Sequence, residues 1–138
     1  MTIPNPELHT IIRRAVSRRP DFLLDDALLL WQRLSVELVP IIGDGGFDSL
    51  YVRSLNVCSQ KYAWILVKGI MQSKHASFLE FIAMLKDRDA AEATEAIASL
   101  LIIFTDILAT LIGISLTTRI LRSAWGDDSF DLPVPEQQ

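Results

Sequence analysis

The amino-acid sequence predicts an all-α fold, a helical bundle of four to six helices with one long hydrophobic helix near its C-terminal end. Half of the 138 residues are hydrophobic and the mean hydropathy is +0.30, so a sizeable core can be buried. Apolar residues recur at spacings of three and four, which is the period of a helix buried on one face. Strict alternation of apolar and polar residues, which would predict strands, does not persist anywhere.

The length fits one domain with a short charged segment at each end. We predict a basic helical arm over residues 1–20, a helical bundle over residues 21–125 and an acidic, disordered tail over residues 126–138. The arm holds four arginines and one glutamate, and the tail holds four carboxylates and no basic residue. Because the net charge is −4, the whole molecule should not be drawn to nucleic acid, and no specific nucleic-acid partner is expected.

The first two predicted helices lie on either side of Pro20. A short helix over residues 7–19 stops there, because a proline has no backbone N–H to continue the ladder. Asp21 can cap a second helix that runs to about Val39, where Pro40 ends or kinks it. The face of this helix that is predicted to be buried carries Leu24, Leu28, Trp31, Leu34 and Leu38.

A glycine cluster, residues 43–46, predicts a turn between the second and third helices. It does not match a nucleotide-binding loop, because Asp48 stands where the dinucleotide fingerprint has its third glycine and no Lys-Ser or Lys-Thr pair follows. Apolar residues at helical spacings predict a third helix from Phe47. The sequence leaves open whether this helix breaks near Gln60 or runs to the neighbourhood of Gly69.

The last two predicted helices contain the most apolar part of the chain. A short amphipathic helix ends at residues 87–89, and Asp89 is a good N-cap for a final helix that begins at Ala90. No proline and only Gly113 interrupt the sequence from there to about Trp125. This predicts a single helix of more than thirty residues.

Residues 96–116 of that helix have the length and composition of a membrane span, with Asp106 as the single charge. A narrow stripe of polar and small residues runs along the helix, as is typical of a central bundle helix with one edge at the solvent. The stripe comprises Glu92, Glu95, Ser99, Asp106, Thr110, Gly113 and Thr117. We favour a buried helix of a soluble protein, and a membrane-associated helix is the alternative.

No pattern in the sequence predicts catalysis, a cofactor or a metal site. The two histidines, His9 and His75, have no other metal ligand at a suitable spacing, so a surface position is expected for both. The single cysteine, Cys58, excludes an intrachain disulfide and fits a small buried side chain. No signal peptide is expected. Together these features favour a non-enzymatic, cytoplasmic protein of a bacterial type.

One candidate binding site is a pocket between the bundle helices. Four aromatic residues would line it, with Asp106 as the polar anchor: Phe47, Tyr51, Trp64 and Phe104. A buried Asp106 needs an arginine or a hydroxyl as its partner, for which Arg53 or Thr110 is expected. A small-molecule sensor is therefore one alternative function.

A second candidate is the cluster of arginines Arg13, Arg14, Arg18 and Arg19. These side chains would bind phosphate, an acidic partner or the chain's own acidic tail. The excess of apolar surface favours a regulatory or adaptor protein that contacts another protein or a second copy of itself, as a homodimer. A membrane-associated helical protein is the remaining alternative.

Overall fold

The structure, a computed structural model, describes residues 6–65 and 77–126, and it places five helices there. They are α1 (Pro6–Val16), α2 (Leu23–Lys61), α3 (Ser77–Leu85), α4 (Ala90–Ile112) and α5 (Ile114–Trp125), with a 3-10 turn (Pro20–Phe22) before α2. These two ranges contain no strand, and the predicted all-α bundle is confirmed.

Helix α2 reverses direction at Gly43, whose φ of 80° and ψ of 164° are not helical. Trp31 and Tyr51 lie on opposite sides of this corner and would be about 30 Å apart in a straight helix. Their ring centroids are 5.0 Å apart, so the second arm (residues 44–61) folds back beside the first arm (residues 23–42). The predicted glycine turn is therefore present, but Gly43 alone makes it, and the helix does not end at Pro40.

A second corner separates α4 from α5, and the prediction of one helix of more than thirty residues is wrong. Gly113 has a φ of 94° and a ψ of 154°, values that a residue with a Cβ rarely adopts. The far end of α5 is attached to the first arm of α2, because the Trp125 indole Nε1 donates to the Leu30 carbonyl at 3.0 Å. The core lies between the two arms of α2, α4 and α5, and α1 and α3 each add buried apolar side chains to it.

The other helix ends differ from the predictions by a few residues. Helix α1 ends at Val16, before the predicted position, and α2 begins with Phe22 rather than Asp21 at its N-cap. The third predicted helix ends at Lys61, which matches the shorter of the two alternatives. Asp89 caps α4 as predicted, since its carboxylate accepts a hydrogen bond from the Glu92 backbone N–H at 2.7 Å.

Candidate functional site

An aromatic cluster joins the two arms of α2 to α3 and α4. Its members are Trp31, Phe47, Tyr51, Phe78 and Phe104. Trp31 meets Phe104 edge-on with ring centroids 5.1 Å apart, and Phe47 lies 5.3 Å from Phe104. Perpendicular aromatic pairs of this kind add about 0.5–1.5 kcal/mol beyond the burial of their area. The cluster brings together three of the predicted pocket residues, Phe47, Tyr51 and Phe104.

Two polar atoms in this cluster have no hydrogen-bond partner among the described residues: the Trp31 indole Nε1 and the Tyr51 hydroxyl. Burial raises the pKa of Tyr51 far above its ordinary value, so the hydroxyl stays protonated. Burial also raises the pKa of the Cys58 thiol to about 11, which keeps this side chain an unreactive hydrophobe as predicted. Nothing in this part of the bundle resembles an activated nucleophile.

A cavity of about 280 Å³ lies beside the aromatic cluster, and Phe47 and Phe78 form part of its wall. Its polar lining includes Asp44 and Asp48, at the start of the second arm of α2. Asp106 does not line it. Of the five residues predicted to form a pocket, only Phe47 lines this cavity.

Asp106 instead binds α1. The His9 ring nitrogen Nε2 lies 2.9 and 3.0 Å from the two Asp106 carboxylate oxygens, in a contact that is partly buried. One turn further along α1, Arg13 donates to the Glu95 carboxylate at 2.8 Å. These two contacts form what we call the α1–α4 seam, which covers part of the polar stripe.

The prediction that Asp106 pairs with Arg53 or Thr110 was wrong. Thr110 donates its hydroxyl to the Asp106 backbone carbonyl rather than to the carboxylate, and the carboxylate contacts His9 instead of Arg53. His9 is separated from Asp106 by 97 residues, so no local pattern in the sequence indicates the pair. The one available signal was the fourfold spacing of His9 and Arg13, which puts two potential cations on one face of α1.

Trp64 lies outside the aromatic cluster. Its indole Nε1 donates to the Glu92 carboxylate at 3.0 Å, and the Arg88 guanidinium stands 5.2 Å from the centroid of its ring. These contacts fix the segment after α2 to the start of α4. Trp64 therefore connects the segment after α2 to α4 and does not line the predicted pocket.

The predicted arginines divide between two places. Arg13 belongs to the α1–α4 seam, whereas Arg18 and Arg19 line a cavity of about 260 Å³, which we call the basic cavity. Arg14 is half-buried on α1 and does not line that cavity. The sequence did not indicate a third arginine there, Arg33 from the first arm of α2. The remaining lining consists of Ala15, Asp26, Leu29, Leu30 and Trp125.

The electrostatics of the basic cavity centre on Asp26. The Arg19 Nε donates to its carboxylate at 3.0 Å, and a second hydrogen bond from the same guanidinium completes a bidentate pair. This hydrogen bonding holds the pKa of Asp26 below its ordinary value, and the charges of Arg18 and Arg33 lower it further. Three arginines and one aspartate line the cavity, so its lining residues are more cationic than anionic.

Exposed apolar side chains lie at the N-cap of α2 and on its first arm, beside the basic cavity. Phe22, Leu29 and Val36 recur every seven residues and are 50, 40 and 70% exposed. Leu29 and Val36, seven residues apart, lie on the same face of α2, and we call them together with Phe22 the heptad stripe. Leu29 and Val36 also line a mostly apolar groove of about 180 Å³ that reaches Ala124 of α5.

By length and composition, α4 is the one described helix that could cross a membrane. In an 18-residue apolar window of this helix, 44% of the residues are buried in the bundle. Residues 6–65 and 77–126 contain no group of three or more His, Cys, Asp or Glu side chains that could hold a metal ion. His75 lies outside the described residues, so its expected surface position is not tested.

The geometry thus offers three surfaces that could bind a ligand or a partner: the cavity beside the aromatic cluster, the basic cavity and the heptad stripe. Comparison with known proteins found that no family model, no curated protein and no solved structure matches this chain.

Proposed function

We propose that this chain is a non-enzymatic regulatory or adaptor protein that acts through protein–protein contacts and forms a homodimer through the heptad stripe. The observation that carries the proposal is the sevenfold spacing of three large, exposed apolar side chains, Phe22 at the N-cap of α2 and Leu29 and Val36 on its first arm. Residues seven apart recur along one side of a helix, so a partner helix lying along this side would meet one apolar side chain every two turns. Exposed apolar surface arranged in this way is typical of a docking surface.

A second copy of the chain is the partner that the stripe fits best. Leu29 lies midway between Phe22 and Val36, so two antiparallel copies related by a twofold axis at Leu29 would set each Phe22 against the other copy's Val36. The same arrangement brings Asp25 of one copy level with Arg33 of the other, because these residues lie four positions on either side of Leu29. Both the apolar and the charged positions are therefore self-complementary.

The test is the molar mass of the Val36→Asp variant, measured by sedimentation equilibrium over a range of concentrations. The buried valine occurs twice in the symmetric dimer, so the substitution is expected to raise the dimer Kd roughly a hundredfold. Val57→Asp is the matched control, because Val57 is also exposed but lies on the second arm of α2. A control that dissociates the dimer equally, or a chain that stays monomeric with and without its acidic segment 127–138, would refute the proposal.

A small-molecule sensor is the second candidate, and the cavity beside the aromatic cluster favours it. Its aromatic wall, two carboxylates and volume of about 280 Å³ suit a small ligand with an apolar body and a cationic group. Native mass spectrometry of the protein purified without detergent tests this candidate. Extra mass that is lost in a Phe47→Ala variant supports the sensor, and a protein without bound mass counts against it.

We place the protein in the cytoplasm, with α4 as a core helix. The burial of Leu100, Leu101 and Phe104 within the bundle supports this placement. The alternative is an association of α4 with a membrane, since the helix has the necessary length and apolar content. Recovery of the expressed chain in the soluble fraction without detergent supports the cytoplasmic proposal, and recovery only with membranes supports the alternative.

A further inference from the structure

The basic cavity lies where the acidic end of the chain begins. Trp125 forms part of its wall, Gly126 follows, and the next residues in the chain are the acidic segment 127–138, which lies outside the described residues. Any ligand attached to the chain at this point has a high effective concentration at the cavity. The sequence therefore puts a negatively charged peptide next to a positively charged depression.

The chemistry of the two parts is complementary. The cavity combines an excess of guanidinium groups with an apolar floor formed by Leu29, Leu30 and Trp125. The acidic segment begins Asp-Asp-Ser-Phe-Asp-Leu, so carboxylates alternate with large apolar side chains. A carboxylate can pair with Arg33 in the bidentate geometry that guanidinium favours, while Phe130 or Leu132 covers the floor.

The reach of the chain is also sufficient. An extended peptide spans roughly 3.3 Å per residue, so the four residues from Asp127 to Phe130 cover about 13 Å. A cavity of about 260 Å³ is roughly 8 Å across if it is treated as a sphere, which the segment can cross in this length.

We propose that the acidic segment 127–138 binds in the basic cavity of its own chain and, by covering Leu29, competes with self-association. The first half of the proposal rests on the cavity alone. The second half rests on the proposed function, because Leu29 belongs both to the basic cavity and to the heptad stripe. The segment is then a built-in regulator whose release exposes the docking surface.

The first half is tested with the full chain by NMR, with the ¹⁵N heteronuclear NOE of residues 127–138 as the readout. In the wild type the amides of the segment are expected to be ordered, to remain so on dilution and to lose order at high salt. Arg33→Glu is expected to lower the bound population about tenfold or more, since it replaces a cation by an anion at the contact. Arg53→Glu, an exposed arginine away from the cavity, is the control and is expected to have no effect.

Three results would overturn this half of the proposal. The first is a segment that is equally mobile in the wild type and in Arg33→Glu. The second is a loss of order in Arg53→Glu as large as in Arg33→Glu. The third is order that vanishes on dilution, which would mean that the segment binds to another copy. A charge swap guards against indirect effects. When Asp128→Lys is combined with Arg33→Glu, order is expected to return, and a double variant as mobile as the single one contradicts the contact.

The second half is tested by neutralising Asp127, Asp128 and Asp131 to asparagine and measuring the dimer Kd by sedimentation. The dimer is expected to tighten several-fold, because the heptad stripe is no longer covered. An unchanged Kd with an ordered wild-type segment refutes the competition but leaves the intramolecular contact intact. A monomer with and without these substitutions refutes the proposed homodimer, whatever the segment does.

Discussion

Replacing Gly113 with alanine asks whether the corner between α4 and α5 is set by backbone conformation alone. The backbone angles of Gly113, φ 94° and ψ 154°, lie in a region that is almost restricted to glycine. A Cβ built there meets no atom within 4 Å, so crowding contributes nothing to the cost. The substitution is therefore expected to cost the backbone strain, about 1–3 kcal/mol of unfolding free energy.

Gly45→Ala is the matched control with the opposite expected sign. Gly45 is exposed inside the second arm of α2, and a Cβ there also meets nothing within 4 Å. Because glycine is a poor helix former, alanine is expected to stabilise the protein by about 0.5–1 kcal/mol. The contrast between the two variants removes any general effect of adding a methyl group.

Urea unfolding, followed by circular dichroism at a fixed protein concentration, measures both changes. If Gly113→Ala stabilises the protein as much as Gly45→Ala does, the backbone conformation of Gly113 does not set the corner. That result would mean that α4 and α5 join into one straight helix at no cost. It would also detach Trp125 from the Leu30 carbonyl, which the near-ultraviolet signal of the indole would report.

Three further predictions concern side chains. Asp106→Ala is expected to lower the unfolding free energy by about 1 kcal/mol and to speed amide hydrogen exchange in α1. Glu95→Ala, at the exposed end of the α1–α4 seam, is expected to change it by less than about 0.5 kcal/mol. Equal effects of the two variants would contradict the seam. The lowered pKa of Asp26 gives stability that is fully present above pH 3.8, its ordinary pKa, and is lost as the pH falls through the lower folded value. Asp26→Asn is therefore expected to reduce the loss of unfolding free energy at acid pH. An unchanged loss would show that Asp26 does not contribute to it. Tyr51→Phe is expected to stabilise the protein by about 1 kcal/mol in urea unfolding, because it removes a buried hydroxyl with no partner, and a loss of stability would reveal a partner for that hydroxyl.

The secondary structure was largely predictable because local signals specify it. Helical spacing, the cap at Asp89 and the break near Pro20 each depend on neighbouring residues only. The corner at Gly113 was missed, because an isolated glycine inside a helical pattern is tolerated in many helices. Whether the chain reverses there depends on the packing of α5 against α2, which local spacing does not contain.

The candidate sites were less predictable for the same reason. Phe47, Tyr51 and Phe104 share a buried position because each lies on an apolar helix face, which the sequence shows. The partner of Asp106 and the place of Arg33 depend on how helices distant in sequence lie against each other. Charged residues on the surface of a helix carry no signal of which neighbour they will meet, so His9 and Arg33 emerged only from the structure.

The two corners also determine where this chain tolerates a change of length. Gly43 and Gly113 each reverse or redirect the chain within a single residue, so neither corner has loop residues that could absorb an insertion. One extra residue at Gly113 would turn every side chain of α5 by about 100° around the helix axis and move Trp125 away from α2. In this bundle a one-residue insertion at a corner therefore rotates the whole helix that follows. The packing of the core depends on the number of residues between Gly43 and Gly113 as much as on its apolar side chains.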